Sequence, residues 1–338
     1  MKAYEINEFG IDSLRMVDRS FPKPAENQVL VKMHAVSLNY RDLMMVTGRY
    51  NPRLKTPIIP CSDGAGEVVE IGSKVTKWKR GDRVMPAFMQ GWIDGDIEYK
   101  KARTALGGDL DGCLCEYAVF DETGLVEIPE HLSYEEASTL PCAALTAYNA
   151  LFVSGNLKST DTVLLQGTGG VSIFALQFAK LVGAKVIITS SSNEKLQRAK
   201  NLGADFLINY KENPDWDEKV QEITEKRGVD CIVEVGGAGT LQKSLKAVRM
   251  GGYIAVIGVL AGKGEFDPVM ILMKAVRLQG IFVGSRQMFE QMNKMIETHK
   301  LKPVIDKVFE FSQAKEAFRM MESASHFGKI VVRISHDS

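Results

Sequence analysis

Val163-Leu164-Leu165-Gln166-Gly167-Thr168-Gly169-Gly170-Val171-Ser172 is the stretch that decides the fold. An apolar run of strand length meets a glycine cluster, and a helical pattern from Val171 to Val182 follows at once. A Gly-x-Gly pair is weak by itself; between a strand and a helix it marks a dinucleotide-binding turn. Gly167 allows the tight turn, and Gly169 lets a pyrophosphate approach the backbone, with Thr168 and Val171 beside it. The helix opening at Gly170 offers unpaired N–H groups and the positive end of its dipole to the anion. Ser172 takes the third fingerprint position, where glycine is usual, and is small enough for close helix–strand packing. The competing reading, an ordinary glycine-rich turn, leaves the flanking pattern unexplained.

Working outward, the same alternation repeats. Val186–Thr189 is apolar, and Asn193–Leu202 turns helical and stops at Gly203, a natural C-terminal cap. Phe206–Asn209, a polar helix near Trp216–Lys226, Cys231–Val235, a helix over Thr240–Val248 and Tyr253–Val259 continue it. Strands and helices in turn imply α/β architecture, a doubly wound parallel sheet of the Rossmann type. Residues 1–125 read differently. Val29-Leu30-Val31-Lys32-Met33-His34 alternates like a half-buried strand, and Pro22, Pro24, Pro57, Pro60, Gly81-Asp82 and Gly107-Gly108 cut the segment into short pieces. That is a mostly β domain. Near the end, Arg286–Thr298 is amphipathic and Lys329–Ile334 reads as a strand returning to the first domain. The expected division is 1–125 with 267–338, against 126–266 for the nucleotide-binding domain.

With 338 residues the chain exceeds one compact core. Lys plus Arg and Asp plus Glu both number 42, so no basic surplus exists to grip nucleic acid or an anionic membrane. Neither partner is expected. The N-terminus has no apolar signal segment, and five irregularly spaced cysteines do not form a disulfide framework, so a cytoplasmic location is expected.

The end of the second strand bears on the cofactor. In Thr189-Ser190-Ser191-Ser192-Asn193-Glu194-Lys195, Ser190 falls where an acidic residue usually holds the ribose 2′-hydroxyl. With no carboxylate there, a 2′-phosphate is not repelled. Ser190 and Ser191 supply hydrogen bonds to it, and Lys195 or Arg198 supplies charge. NADPH is the expected cofactor. Glu194, one position before Lys195, is the complication, and the serines also suit the N-cap of the following helix.

Pro60-Cys61-Ser62-Asp63-Gly64-Ala65-Gly66-Glu67-Val68-Val69, Gly81-Asp82-Arg83-Val84, the glycine motif and Gly328-Lys329-Ile330-Val331 lie along the whole chain. With these segments the chain resembles the medium-chain dehydrogenase/reductase superfamily, which joins a GroES-like β domain to a Rossmann domain. Zinc alcohol dehydrogenases of that superfamily hold a catalytic metal with a Cys, a His and a later Cys. By the resemblance those positions here are Asn39, Ser62 and Cys142. Three protein ligands are needed, so no catalytic metal is expected; the four-cysteine structural zinc loop is missing too.

Ser37-Leu38-Asn39-Tyr40-Arg41-Asp42 and Gly48-Arg49-Tyr50 look like the quinone oxidoreductase branch and are similar to enoyl reductase domains. The resemblance puts Asn39 beside the nicotinamide ribose and makes Tyr50, with Tyr40 and Arg41, the candidate catalytic donors. On the residues alone, Asn39 equally suits a helix cap, the tyrosines an interdomain wall, and Arg41 an ion pair with Asp42 or Asp63. The resemblance also places Thr146, Tyr210, Gly236, Gly258, Phe282, Val283 and Lys329 around the cofactor. It implies reduction of a small quinone, enone or aldehyde. A zinc-free alcohol or aldehyde oxidoreductase and a non-catalytic NADPH-binding protein are the alternatives. Loops Met85–Lys101 and Val259–Met270 are expected to shape the substrate pocket, and a homodimer is expected through Tyr253–Val259 and Leu278–Phe282.

Overall fold

In a computed structural model, residues 1–258, 262, 264–265 and 267–335 are described. The chain forms two compact units, one of Met1–Leu145 with Gly284–Ser338, the other of Thr146–Val283. These boundaries differ from the expected ones at both crossings. Leu125–Glu127 pairs with Arg83–Pro86, and Asn293 Nδ2 donates to the Glu127 carbonyl at 2.9 Å, which keeps the chain beyond residue 125 in the first unit. Arg277–Gly280 pairs in parallel with Val248–Val256 and so belongs to the second.

Among the described residues the second unit carries six parallel strands. Numbered from Thr162–Gln166 in sequence order, they lie side by side as 3-2-1-4-5-6: Phe206–Asn209, Lys185–Ser190, Thr162–Gln166, Val229–Glu234, Val248–Val256 and Arg277–Gly280. This is the doubly wound order whose ligands bind beyond the strand C-termini, where the winding reverses. Val163, Leu164, Leu165, Ile187, Ile188, Ile232 and Val233 are all fully buried, as strands covered on both faces must be. Helices Gly170–Leu181, Asn193–Asn201, Trp216–Ile223 and Leu241–Ala247 connect them. The fifth strand begins five residues before the expected Tyr253, and Val259 lies outside the described residues, as does part of the expected Val259–Met270 loop.

The first unit is built on a seven-stranded, mostly antiparallel sheet with Gln28–Leu38 at its centre. That strand pairs with Asp63–Ile71, Tyr117–Asp121 and Lys329–Arg333, so the C-terminal strand does return. Gly66 is required here: a Cβ on it would lie 2.2 Å from the Lys32 carbonyl oxygen. The core gathers Leu14, Val31, Met33, Leu38, Val68, Phe120, Phe318 and Ile330. Helix Arg286–Thr298 buries Phe289, Met292 and Ile296, with Met288 and Met295 half-buried beside them, so its methionines pack rather than form a ligand box.

Candidate functional site

In the second unit the glycine turn has the form its sequence implies. Gly167 sits at φ +71°, a backbone region that disfavours side chains, and the space over Gly167 and Gly169 is open. Gly169 caps helix Gly170–Leu181 without any side-chain hydrogen bond, which leaves first-turn N–H groups available to an anion. Ser172, the departure from the fingerprint, is buried, and its hydroxyl donates to the Gln166 carbonyl at 2.7 Å. The serine thus ties the helix to the strand that glycine would merely let approach. Thr168 is buried, while Gly170 and Val171 are half-buried.

At the end of the second strand Ser190 is buried and Ser191 half-buried. The helix cap falls on Ser192, whose Oγ accepts the Lys195 N–H at 3.3 Å. Ser190 Oγ accepts from Ser192 N at 3.3 Å, so its hydroxyl proton is not spent on the cap. Lys195 lies in the first turn of the helix beside the exposed Glu194. Tyr210 is 41% exposed and its N–H donates to the Ser190 carbonyl. Gly236 and Gly258 follow the fourth and fifth strands, and Thr146 is buried. Val283 is a β-branched residue at φ +56°, held there while Asn149 Nδ2 donates to its carbonyl at 2.8 Å. Such strain concentrates at ligand-binding places. The neighbouring Phe282 is 40% exposed.

The first unit knits the expected metal positions together without a metal-type donor set. Lys329, buried at 3% exposure, donates from Nζ to the Leu38 carbonyl at 2.7 Å and to Asn39 Oδ1 at 2.6 Å. Asn39 Nδ2 reaches Ser62 Oγ at 3.4 Å, Ser62 donates to Asp63 Oδ1 at 2.7 Å, and Cys142 N donates to Asp63 Oδ2 at 3.1 Å. Burial raises the Asp63 carboxyl above its ordinary value, against the pull of Lys329 and of its hydrogen bonds. Asn39 does stand at the N-cap of helix Tyr40–Val46, where its N–H donates to Asp42 Oδ2 at 2.8 Å. Its side chain, however, serves Lys329 and Ser62.

Arg41 has partners within the first unit. Its Nη1 donates to the Leu106 carbonyl at 2.8 Å, and its guanidinium lies 4.8 Å from the Phe88 ring and 5.5 Å from the Tyr50 ring. Asp42 Oδ1 is 3.9 Å away, too far for a hydrogen bond. Tyr40 and Tyr50 are 38% and 47% exposed.

The family model described as "Alcohol dehydrogenase GroES-like domain" matches residues 25–130, and the one described as "Zinc-binding dehydrogenase" matches residues 170–298. Over 333 residues the chain is 43% identical to a zinc-type alcohol dehydrogenase-like protein of Schizosaccharomyces pombe, with 96% of each covered. The chain belongs to the medium-chain dehydrogenase/reductase superfamily. Within the superfamily it is 30% identical over 320 residues to an acryloyl-coenzyme A reductase of Metallosphaera sedula, covering 92% of this chain and 93% of that one. A solved 2-octenoyl-CoA carboxylase reductase, in complex with NADP and 2-octenoyl-CoA, matches with a TM-score of 0.85 and 27% identity over 96% of this chain and 82% of that chain. The chain is an oxidoreductase, and its superfamily binds nicotinamide cofactors.

Zinc, implied by one of those descriptions, does not fit the residues present. An amide, a hydroxyl and one thiol stand at the three ligand positions, and a catalytic zinc needs three protein ligands of Cys, His or carboxylate type. Among the described residues no group of three or more His, Cys, Asp or Glu is arranged to hold a metal, and no helix is long and apolar enough to cross a membrane.

Two residues that sequence reading passed over stand out in the second unit. Glu234, fully buried, and Gln166 link the fourth and first strands at 2.7 Å. The available signal was a polar residue directly after the apolar stretches Val163–Leu165 and Cys231–Val233.

Proposed function

We propose that this member of the superfamily is a zinc-independent, NADPH-dependent reductase of α,β-unsaturated carbonyl compounds or quinones. The observation that carries the reading is the Lys329–Asn39–Ser62–Asp63 chain, in which an amide and a hydroxyl stand at two of the positions that by the resemblance hold a metal, and are hydrogen-bonded to each other and to Lys329 and Asp63. Gly167, Thr168, Gly169, Gly170 and Val171 hold the pyrophosphate. Ser190, Ser191, Lys195 and Tyr210 take the 2′-phosphate, with no carboxylate on Ser190 to repel it. Thr146, Gly236, Gly258, Phe282 and Val283 line the remainder of the cofactor, and Asn39, fixed by Lys329, meets the nicotinamide ribose.

NADPH, when bound, supplies a hydride to the β-carbon of an enone or to a quinone. The substrate oxygen then carries the developing negative charge, which preorganised hydrogen-bond donors stabilise by several kcal/mol, roughly 3 per donor. Tyr50 Oη, or Tyr40 Oη, donates there and returns a proton to the product. Arg41, whose guanidinium lies 5.5 Å from the Tyr50 ring, is the third candidate donor. The exposed edge strand Arg277–Gly280 supports a homodimer, and five free cysteines suit a reducing cytosol.

The test is NADPH oxidation, followed with quinones, enals, enoyl thioesters and aldehydes on protein of measured zinc content. Turnover of quinones or conjugated carbonyls by zinc-free protein is expected. Activity that follows stoichiometric zinc and disappears on chelation would overturn the proposal. The resemblance to a zinc-type alcohol dehydrogenase-like protein favours a second reading, a zinc-free alcohol or aldehyde oxidoreductase, which the aldehyde arm decides.

A further inference from the structure

Glu234 closes the fourth strand of the parallel sheet, is fully buried and makes no ion pair among the described residues. Five donors converge on it. Oε1 accepts from Gly236 N at 2.8 Å, from Gly237 N at 3.0 Å and from Thr240 Oγ. Oε2 accepts from Gln166 Nε2 at 2.7 Å and from Ser244 Oγ. An acceptor-only carboxylate suits that company, because three of the donors are N–H groups that cannot reverse. Its main-chain carbonyl accepts from Ile257 N at 2.9 Å and from Gly258 N at 3.3 Å.

Gln166 is equally constrained. Its Oε1 accepts from Val235 N at 3.2 Å, which fixes the amide so that Nε2 faces Glu234 and Ser244. Gln166 immediately precedes Gly167 of the glycine turn. One side chain and its peptide carbonyl therefore reach the loops after the first, fourth and fifth strands. The packing is close: a Cβ on Gly236 would lie 2.3 Å from Thr240 Oγ1.

We infer that Glu234 is a positioning residue which, through Gln166, Gly236 and Gly258, fixes the relative placement of the three loops at the C-terminal ends of adjacent strands and thereby sets nucleotide affinity. The inference rests on the dinucleotide reading given above, and it deepens that reading by assigning affinity to a residue that touches no ligand. Its physical content is preorganisation: loops already held in the binding arrangement lose less conformational freedom when the ligand arrives.

The pair also predicts its own rescue. Glu234→Gln is nearly isosteric but turns an amide NH2 either toward the Gln166 NH2 or toward the Gly236 and Gly237 N–H groups, so one donor is left facing another. Exchanging the two residues, Gln166→Glu with Glu234→Gln, restores every partner: the new carboxylate accepts from Val235 N, and the new amide accepts from Gly236 and Gly237 while donating to it.

NADPH and NADH are titrated by calorimetry into the full chain, and thermal unfolding is recorded for the same samples. Glu234→Gln is expected to raise the NADPH Kd about tenfold, and the exchange to bring it back to within about threefold of wild type. Wild-type protein that binds neither nucleotide overturns the dinucleotide reading and this inference together. Wild-type binding matched by folded Glu234→Gln overturns the positioning role alone. Should the single variant fail to fold, the exchange still decides: folded protein with restored affinity supports the pairing, and folded protein without it refutes the pairing.

Discussion

Replacing Asp42 by Asn is expected to stabilise the first unit, and to do so only where the native carboxyl would be charged. Asp42 is fully buried in the first turn of helix Tyr40–Val46. Burial pushes its carboxyl from the ordinary 3.8 up to about 6; Arg41, the Asn39 N–H and Lys329 oppose the rise, and Asp63 reinforces it. Oδ2 takes the Asn39 N–H, while Oδ1 is buried without a hydrogen-bond partner. The folded form holds its proton to a higher pH than the unfolded form, so stability falls as pH rises through the window from 3.8 to about 6. Above the window the cost is complete and amounts to about 3 kcal/mol, at 1.36 kcal/mol for each tenfold difference in acidity. Asp42→Asn keeps an acceptor for Asn39 and removes the charge. Its new NH2 lacks a partner, at about 1–2 kcal/mol, but that cost is the same at every pH. Between about pH 4.5 and about pH 8 the variant should therefore gain about 2 kcal/mol on wild type. In a unit of this size that is a Tm advantage growing by about 4–8 °C. Calorimetric scans of both proteins across that range measure it. A Tm difference that stays constant with pH would refute the reasoning.

Ser190→Asp places a carboxylate at the end of the second strand and should raise the KM for NADPH about tenfold or more while improving NADH, read from paired nucleotide titrations. Lys329→Met leaves Asn39 Oδ1 and the Leu38 carbonyl without their donor and removes the cation facing buried Asp63; a stability loss of about 3–5 kcal/mol is expected in chemical denaturation. Tyr50→Phe removes the proposed proton donor and should lower kcat about 10²-fold with little change in NADPH affinity, and unchanged kcat would move the role to Tyr40 or to solvent.

The parallel sheet was legible because its signals are local. A strand, the turn at Gly167 and the helix from Gly170 follow one another within a dozen residues, and each strand buried on both faces is a continuous apolar run. The unit boundaries were not legible. Whether the chain beyond residue 125 stays in the first unit depends on Leu125–Glu127 pairing with Arg83–Pro86, some forty residues earlier, and no local pattern encodes that choice.

The sequence by itself determined two domains, the glycine turn between strand and helix, the missing carboxylate at Ser190 and the departure from metal-ligand residue types at Asn39 and Ser62. Only the tertiary structure decided what those side chains do. Asn39 read as a site residue with a helix cap as the alternative, and its side-chain partner, Lys329, lies 290 positions away. Arg41 read either as a donor to substrate or as an ion-pair partner, and the fold places its Nη1 on the Leu106 carbonyl with its guanidinium beside the Phe88 and Tyr50 rings. Glu234 belongs to no recognised motif: four of its donors follow within ten residues, but Gln166 joins them only because the fourth strand lies beside the first. Backbone conformation follows from neighbours in sequence, whereas a buried polar group is satisfied by whichever partners the folded chain brings within 3 Å or so, and those come from anywhere along it.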